Sequence, residues 1–141
     1  MTSYSLTSQE TLSKPTAARE ILRRRAVRAS LTSWAQLCGF DPAPHHALLI
    51  DKLERLAREE YRRLFVFMPP GSAKSTFASV LFPAWYLAQS NAGHVLAASH
   101  GVGLAERFSR KVRNAVSEHS VTLGYGLAGD SQAAGRWETS R

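Results

Sequence analysis

One stretch of the sequence, residues 64–76, constrains the possible fold more than any other. It reads LFVFMPPGSAKST: an apolar run, a loop rich in Pro, Gly and Ser, and then a lysine and two hydroxyl residues. This order predicts a short buried strand, a tight loop and the N-terminus of a helix. In that arrangement backbone N–H groups and the positive end of the helix dipole bind phosphate groups, and a lysine adds a positive charge. The stretch therefore indicates a phosphate-binding loop.

The candidate site residues are those of the loop and of the helix start. We expect Lys74 to contact the β- and γ-phosphates of ATP and the Ser75 hydroxyl to hold Mg²⁺. His45, near the start of an earlier predicted helix, is a candidate for contact with the adenine base. The predicted nucleotide-binding residues of the loop are Pro70, Gly71, Ser72, Ala73, Lys74, Ser75 and Thr76.

The loop departs from the pattern G-x-x-x-x-G-K-[ST], because Met68 and Ala73 stand at its two glycine positions. Gly71 is the only glycine of the loop. Since alanine is tolerated only where φ stays negative, Ala73 leaves the anion-binding geometry in question. A strand, a turn and a helix with an incidental exposed lysine would explain the same residues equally well.

Composition limits the partners and the compartment. The 141 residues include 18 Lys and Arg against 11 Asp and Glu, a formal net charge of +7, which favours nucleic acid or nucleotide over a membrane. Cys38 is the only cysteine, which excludes an internal disulfide and a Cys-rich zinc site. No apolar run approaches the length of a membrane span, and the N-terminal residues lack the apolar region of a signal peptide. We expect a soluble, intracellular protein.

The N-terminal part of the chain is predicted to be helical. Residues 1–14 lack periodicity and are expected to be disordered. Residues 15–61 are predicted to form a helical segment, with helices at 15–29, 31–38 and 45–61. The apolar anchors of the first helix are Ile21, Leu22 and Val27, and the buried face of the third includes Leu48. Five arginines lie on the first helix: Arg19, Arg23, Arg24, Arg25 and Arg28. They form either a solvent-exposed face or a set of contacts to the phosphate backbone of DNA.

Residues 62–141 alternate between predicted strands and helices. Apolar strands are expected at 64–67 and 94–99, each followed by a helix, and Pro83 interrupts the first of these helices. This order predicts an α/β fold with a doubly wound parallel sheet. Gly124, Gly126 and Gly129 mark loops, and residues 136–139 are expected to begin a further strand.

A complete ATPase site also needs an acidic residue that follows an apolar strand and holds the magnesium shell, the Walker B motif. The three aspartates are Asp41, Asp51 and Asp130, and none follows such a strand. We therefore expect the chain to be catalytically incomplete.

Several blocks of the sequence resemble the large subunit of phage terminases, the ATP-driven motor that packages DNA into procapsids. They are PHHALL at 44–49, FMPPGSAKST at 67–76, FPAWYL at 82–87 and LAERFSRKVRN at 104–114. The segment DSQAAGRWET at 130–139 also resembles the stretch just before the family's Gly-Gly. The blocks occur in the family's order and spacing from about residue 30 to the last residue, which makes the resemblance specific.

The resemblance implies a RecA-like P-loop ATPase, with Lys74 and Ser75 or Thr76 as Walker A residues and with ATP and Mg²⁺ as cofactors. It implies double-stranded DNA, a terminase small subunit and a portal protein as partners, a homo-oligomeric full-length motor, no membrane, and the cytoplasm of a bacterial host. Many relatives have Arg-His-Gly where this chain has Gly-Ser-Ala at 71–73, so their loop arginine is missing here.

A complete member of that family continues into a Walker B motif, a coupling motif and a nuclease domain. We expect this chain to cover the helical N-terminus and the first half of the ATPase domain, with an apolar sheet edge exposed. A non-catalytic prophage remnant, a module that binds DNA or a partner protein, and a fragment of another P-loop NTPase are the alternatives.

Overall fold

Three helices form the N-terminal part of the fold. In this computed structural model, which describes residues 14–133 and 135–140, they are α1 (Lys14–Ala29), α2 (Leu31–Leu37) and α3 (Pro44–Ala57). The Ser30 hydroxyl caps α2 by accepting the backbone N–H of Ser33. Gly39 follows α2 with a φ of +82°, the left-handed conformation common after a helix end. The predicted helices are confirmed, although α3 ends four residues before Tyr61.

A continuous helical run begins at Lys74, immediately after the loop. It consists of α4 (Lys74–Thr76), a π-helical turn (Phe77–Leu81) and α5 (Phe82–Tyr86). Pro83 has no N–H to donate to the carbonyl of Ser79, so a regular α-helical ladder cannot continue through it. The N–H of Phe82 instead donates to the carbonyl of Phe77, five residues earlier. The predicted interruption near Pro83 is therefore a change in helical register.

The C-terminal part consists of two helices and a hairpin. They are α6 (Val102–Glu118), α7 (Ser120–Leu123), β1 (Gly126–Gln132) and β2 (Trp137–Ser140). The strands are antiparallel, with Gly126 opposite Ser140, and the indole N–H of Trp137 donates to Ser109 Oγ of α6 at 3.0 Å. The predicted strand at 136–139 is confirmed. The prediction of loops at Gly126 and Gly129 is wrong, because both glycines lie in β1, Gly126 paired with Ser140 and Gly129 in an irregular stretch between Leu127 and Gln132.

The hydrophobic core is centred on α2. Leu31, Trp34 and Ala35 are fully buried, and the indole N–H of Trp34 donates to the carbonyl of Leu81 at 3.0 Å. The Trp34 ring also meets His119 edge-on, with 5.3 Å between the ring centroids. The other core residues come from α1, α3, the π-helical turn, α5, α6 and the region of α7: Val27, Leu49, Ile50, Leu53, Ala57, Phe77, Leu81, Ala84, Trp85, Val112, Val116, Leu123 and Tyr125.

Side-chain amides in the turn after α5 bind the ends of two earlier helices. Gln89 Nε2 donates to the carbonyl of Arg28 in α1, and Asn91 Nδ2 donates to the carbonyl of Ala57 in α3, both at 3.1 Å. The last carbonyls of a helix have no partner within the helix. These two bonds therefore join α1, α3 and α5 through groups that would otherwise lack a protein partner.

The two apolar runs predicted as strands do not pair. We call residues 64–68 the first unpaired segment and residues 94–99 the second unpaired segment. No backbone hydrogen bond joins either segment to another residue in the described part of the chain. Side chains of the first segment alternate between half-buried and exposed, with Val66 packed against the core and Phe67 92% exposed. In the second, Leu96 is 94% exposed.

The only sheet among the described residues is the antiparallel β1–β2 hairpin, so the parallel α/β sheet stays a prediction. The period of two in the first unpaired segment is the period of a strand that has one face on a core.

Some expectations for the N-terminal part are wrong. Ile21 and Leu22 are exposed rather than core anchors, and only Val27 of that set is buried. Leu48 is also exposed, because α3 turns Leu49, Ile50 and Leu53 towards the core instead. The disorder predicted for residues 1–14 lies outside the described residues except at Lys14, which begins α1.

Candidate nucleotide-binding site

The predicted phosphate loop links the first unpaired segment to α4. Gly71 has a φ of +80°, and Ala73, immediately before the helix, has a φ of +53° and a ψ of 15°. The expectation that alanine would require a negative φ is therefore wrong. A left-handed conformation costs an alanine on the order of 1–2 kcal/mol, so the surrounding contacts must hold Ala73 there.

The loop leaves several backbone donors free. The N–H groups of Gly71, Ala73, Lys74 and Ser75 make no hydrogen bond to any residue in the described part of the chain. The first helical bonds begin with the N–H groups of Thr76 and Phe77, which both donate to the carbonyl of Ala73. A left-handed residue followed by right-handed ones produces a concave group of N–H donors that suits an anion.

Lys74 and Ser75 lie at the start of α4, beside these donors. Lys74 Nζ donates to the carbonyl of Pro69 at 3.4 Å, so the lysine reaches back across its own loop. The Ser75 side chain is exposed and makes no hydrogen bond with another described residue, whereas Thr76 is half-buried. Ser75 is thus free to contact a ligand at the loop. Lys74 can do so after it gives up its long hydrogen bond to the Pro69 carbonyl.

His45 lies beside the loop, as its assignment to an adenine contact requires. It is exposed, and it contributes to an open pocket of about 440 Å³. The other residues that line this pocket are Met68, Pro69, Pro70, Gly71 and Ser72. The structure therefore brings His45 together with Pro70, Gly71 and Ser72 on one surface.

His46 is a site residue that the sequence did not single out from its neighbour. Its Nδ1 accepts the backbone N–H of Ala43 at 3.1 Å, and its Nε2 lies 3.0 Å from the carbonyl oxygen of Ser72. The imidazole also stacks on Phe77, with 4.4 Å between the ring centroids. His46 therefore caps the start of α3. Its place as the third residue of a helix that begins with Pro44 is the signal by which the sequence could have revealed this role.

The residues at the loop fit a nucleotide better than a protein-held metal ion. Ser75 offers one hydroxyl, and no carboxylate hydrogen-bonds to the loop within the described ranges. The residues that the structure describes contain no group of three His, Cys, Asp or Glu side chains able to hold a metal. Magnesium commonly keeps several waters and binds through substrate phosphates. A magnesium ion here would accordingly depend on the nucleotide for most of its ligands.

The three aspartates lie in three different parts of the described fold, outside the phosphate loop. Asp41 is exposed between α2 and α3, Asp51 is exposed on α3, and the backbone of Asp130 is in β1.

Cys38 is not suited to act as a nucleophile. Burial raises the pKa of its thiol to about 12, and the negative charge of Glu118 contributes a smaller part of this rise. The thiol therefore stays protonated at neutral pH.

The arginines of α1 divide into paired and unpaired members. Glu20 accepts hydrogen bonds from Arg23 and from Arg24, each with a shortest distance of 2.8 Å, and these bonds lower the pKa of its carboxyl to about 2. Arg19 and Arg25 are exposed and form no ion pair with any described residue. Only part of the predicted basic segment thus presents free positive charge.

Compared with known proteins, the chain matches no protein-family model, no curated protein and no solved structure. Among the described residues, no helix combines the length and the apolar character needed to cross a bilayer.

Proposed function

We propose that residues 69–75 bind the phosphates of ATP, as the Walker A loop of a P-loop ATPase. The observation that carries this proposal is the set of four unbonded backbone N–H groups beside Lys74 at the start of a helical run. The N–H groups at the start of a helix have no acceptor within the helix, and phosphate oxygens would supply one here. His45 is the proposed contact for the base, since it lines the pocket next to the loop.

We further propose that the chain is part of a phage terminase large subunit, on the sequence blocks at 44–49, 67–76, 82–87 and 104–114. On this proposal residues 62–141 supply the first half of a RecA-like α/β ATPase domain, and the two unpaired segments are strands of its parallel sheet. The partners would be double-stranded DNA, a small subunit, a portal protein and further copies of the large subunit, in the cytoplasm of a bacterial host.

The chemistry proposed for these residues is binding and charge neutralisation. ATP supplies the phosphoryl group, and Mg²⁺ bound with it neutralises phosphate charge. Lys74 would exchange its bond to the Pro69 carbonyl for a phosphate oxygen, and the N–H groups of Ala73 and Ser75 would hold the phosphate in place. Ser75 Oγ would supply one metal ligand. No described carboxylate contacts the loop, so we expect ATP hydrolysis by this chain to be negligible.

Nucleotide binding can be tested with a fluorescent ATP analogue in the presence and absence of Mg²⁺. The wild-type chain should bind weakly, more tightly with Mg²⁺, and Lys74→Ala should abolish binding because the phosphates lose their main counter-charge. Lys111→Ala is the matched control, since Lys111 is an exposed lysine on α6 and forms no ion pair with a described residue. Equal binding by the Lys74 and Lys111 variants would show that the loop is not a phosphate site.

A second candidate function, DNA or partner binding through α1, rests on the exposed, unpaired guanidinium groups of Arg19 and Arg25. Contact with phosphates would make binding independent of sequence and steeply dependent on salt. Replacing Arg19 and Arg25 together by Ala should weaken binding to all duplexes alike. The double change Arg23→Ala and Arg24→Ala is the control, because it removes the same number of positive charges from two side chains that already pair with Glu20. No loss of affinity at low salt in the first variant would assign α1 a purely structural role.

A further inference from the structure

We propose that His46 is a positioning residue, which fixes the orientation of the Ser72–Ala73 peptide and so aims a backbone donor into the phosphate site. The two hydrogen bonds of its imidazole join the first turn of α3 to the loop, 26 residues later in the chain. The consequence for nucleotide binding rests on the proposed function, whereas the consequence for loop geometry does not.

The partners of the ring define its protonation state. A carbonyl oxygen can only accept a hydrogen bond, so Nε2, 3.0 Å from the Ser72 oxygen, carries the proton. A backbone N–H can only donate, so Nδ1, 3.1 Å from the Ala43 nitrogen, has a free lone pair. His46 is therefore neutral, in the Nε2–H tautomer, and both of its nitrogens are used.

The imidazole is also held by its faces. It stacks on Phe77 at an interplanar angle of 22°, and the ring of His45 lies 3.9 Å away by centroid distance. Phe77 is 1% exposed and belongs to the hydrophobic core. The bond to Ser72 consequently connects the loop to a rigid part of the molecule rather than to a mobile surface side chain.

The effect of this bond on the loop follows from peptide geometry. All described peptide bonds are trans, and in a trans peptide the carbonyl of one residue and the N–H of the next point in opposite directions. Because the Ser72 carbonyl points to His46, the N–H of Ala73 points away from α3. That N–H is one of the free donors at the proposed phosphate site.

The same bond restrains the strained residue of the loop. Ala73 has a φ of +53°, a conformation that an alanine leaves readily unless its neighbours prevent it. His46 holds the peptide group between Ser72 and Ala73. The carbonyl of Ala73 itself accepts the N–H groups of Thr76 and Phe77. Loss of the His46 bond should release the first of these restraints and leave the second in place.

Substitutions at position 46 can separate the loop contact from helix capping. Gln at this position can accept from the Ala43 N–H and donate to the Ser72 oxygen, so His46→Gln should behave like the wild type. Ionised Glu can accept but has no proton to donate, so His46→Glu should keep the cap and lose the loop contact. Ala47→Glu is the matched control, because Ala47 is the exposed neighbour of His46 on α3, so the change adds the same charge to this helix without removing the bond.

The first measurement uses the chain without nucleotide. Two-bond ¹H–¹⁵N correlation spectra should show His46 as the Nε2–H tautomer, and ¹⁵N relaxation should show an ordered Ala73 amide in the wild type, in His46→Gln and in Ala47→Glu. In His46→Glu the Ala73 amide should become mobile while the melting temperature changes little. An Nδ1–H tautomer, or an equally ordered Ala73 amide in His46→Glu, would overturn the proposal.

The second measurement is affinity for Mg²⁺-ATP. One lost hydrogen bond to the loop should weaken binding by about tenfold in His46→Glu relative to Ala47→Glu, with full rescue by His46→Gln. Equal affinity in the two Glu variants would overturn the positioning role. If the wild type itself fails to bind ATP, the proposed function fails, and the nucleotide-free spectra still decide the role of His46.

Discussion

The helical body, which consists of α1 to α7 and the π-helical turn, and the two unpaired segments both contain large apolar side chains but place them in very different surroundings. In the helical body, Trp34 is fully buried and its polar N–H donates to Leu81. In the first unpaired segment, Phe65 and Phe67 are mostly exposed, and no backbone group of the segment is bonded to a described residue. A helix satisfies its backbone from within its own sequence, whereas a strand depends on a neighbour.

This difference explains the position of the candidate site. The phosphate loop begins at the end of an unpaired segment and ends at a helical run whose residues Phe77 and Leu81 lie in the core. Its C-terminal end therefore continues into a hydrogen-bonded, packed helical run, whereas its N-terminal end is held by side-chain packing without backbone hydrogen bonds to described residues. The hydrogen bond between His46 and Ser72 lies between these two ends.

The largest expected effect is from a change within the helical body. Trp34→Ala should lower the free energy of unfolding by about 3–5 kcal/mol, because it removes a fully buried ring and its hydrogen bond. The measurement is chemical denaturation by urea, followed by circular dichroism.

Trp137→Ala is the control for Trp34→Ala, since Trp137 is a half-buried tryptophan in β2 that also donates a hydrogen bond. Its loss should cost clearly less. If both variants lose the same stability, the core is not centred on α2.

A smaller effect is expected along the first unpaired segment, and it should alternate from residue to residue. Val66→Ser should lower stability by about 1 kcal/mol, because Val66 packs against the core. Phe67→Ser should change stability by less than about 0.5 kcal/mol and should reduce self-association, since it removes an exposed ring.

The alternation can be checked by urea denaturation together with analytical ultracentrifugation at several concentrations. A larger loss of stability in Phe67→Ser than in Val66→Ser would mean that the segment turns its other face to the core. If self-association is unchanged in Phe67→Ser, the surface through which copies of the chain associate does not include Phe67.

The smallest effect is expected at an exposed ion-pair cluster of the helical body. Hydrogen bonds from Arg23 and Arg24 lower the pKa of the Glu20 carboxyl from its ordinary 4.5 to about 2. A lowered folded-state pKa stabilises the fold above the unfolded pKa, and that contribution is lost as pH falls towards 2. Wild type and Glu20→Gln should therefore differ above pH 4.5 and converge near pH 2.

Thermal unfolding as a function of pH at low salt tests this expectation, with Glu106→Gln as the control, because Glu106 forms no ion pair with a described residue. High salt should diminish the difference at exposed pairs. A difference between wild type and Glu20→Gln that grows as pH falls would contradict the assigned sign.

Local signals in the sequence determined the helices and the place of the candidate loop. Apolar periodicity, Gly39 after α2 and Pro44 at the start of α3 act within a few residues, so they can be read without a structure. The lysine and the hydroxyls at the start of α4 were located in the same way. The parallel sheet cannot be established from such local signals, since strand pairing requires partners that are distant in the chain.

Tertiary structure alone decided how the loop is held. Ala73 adopts a positive φ that its residue type disfavours, and His46 binds Ser72 across 26 positions of sequence. It also decided that Glu20 neutralises part of the basic helix and that Leu48 faces solvent. The physical reason is the same throughout: capping and periodicity are local, whereas the energy that stabilises a strained residue or orients a peptide comes from packing between distant segments.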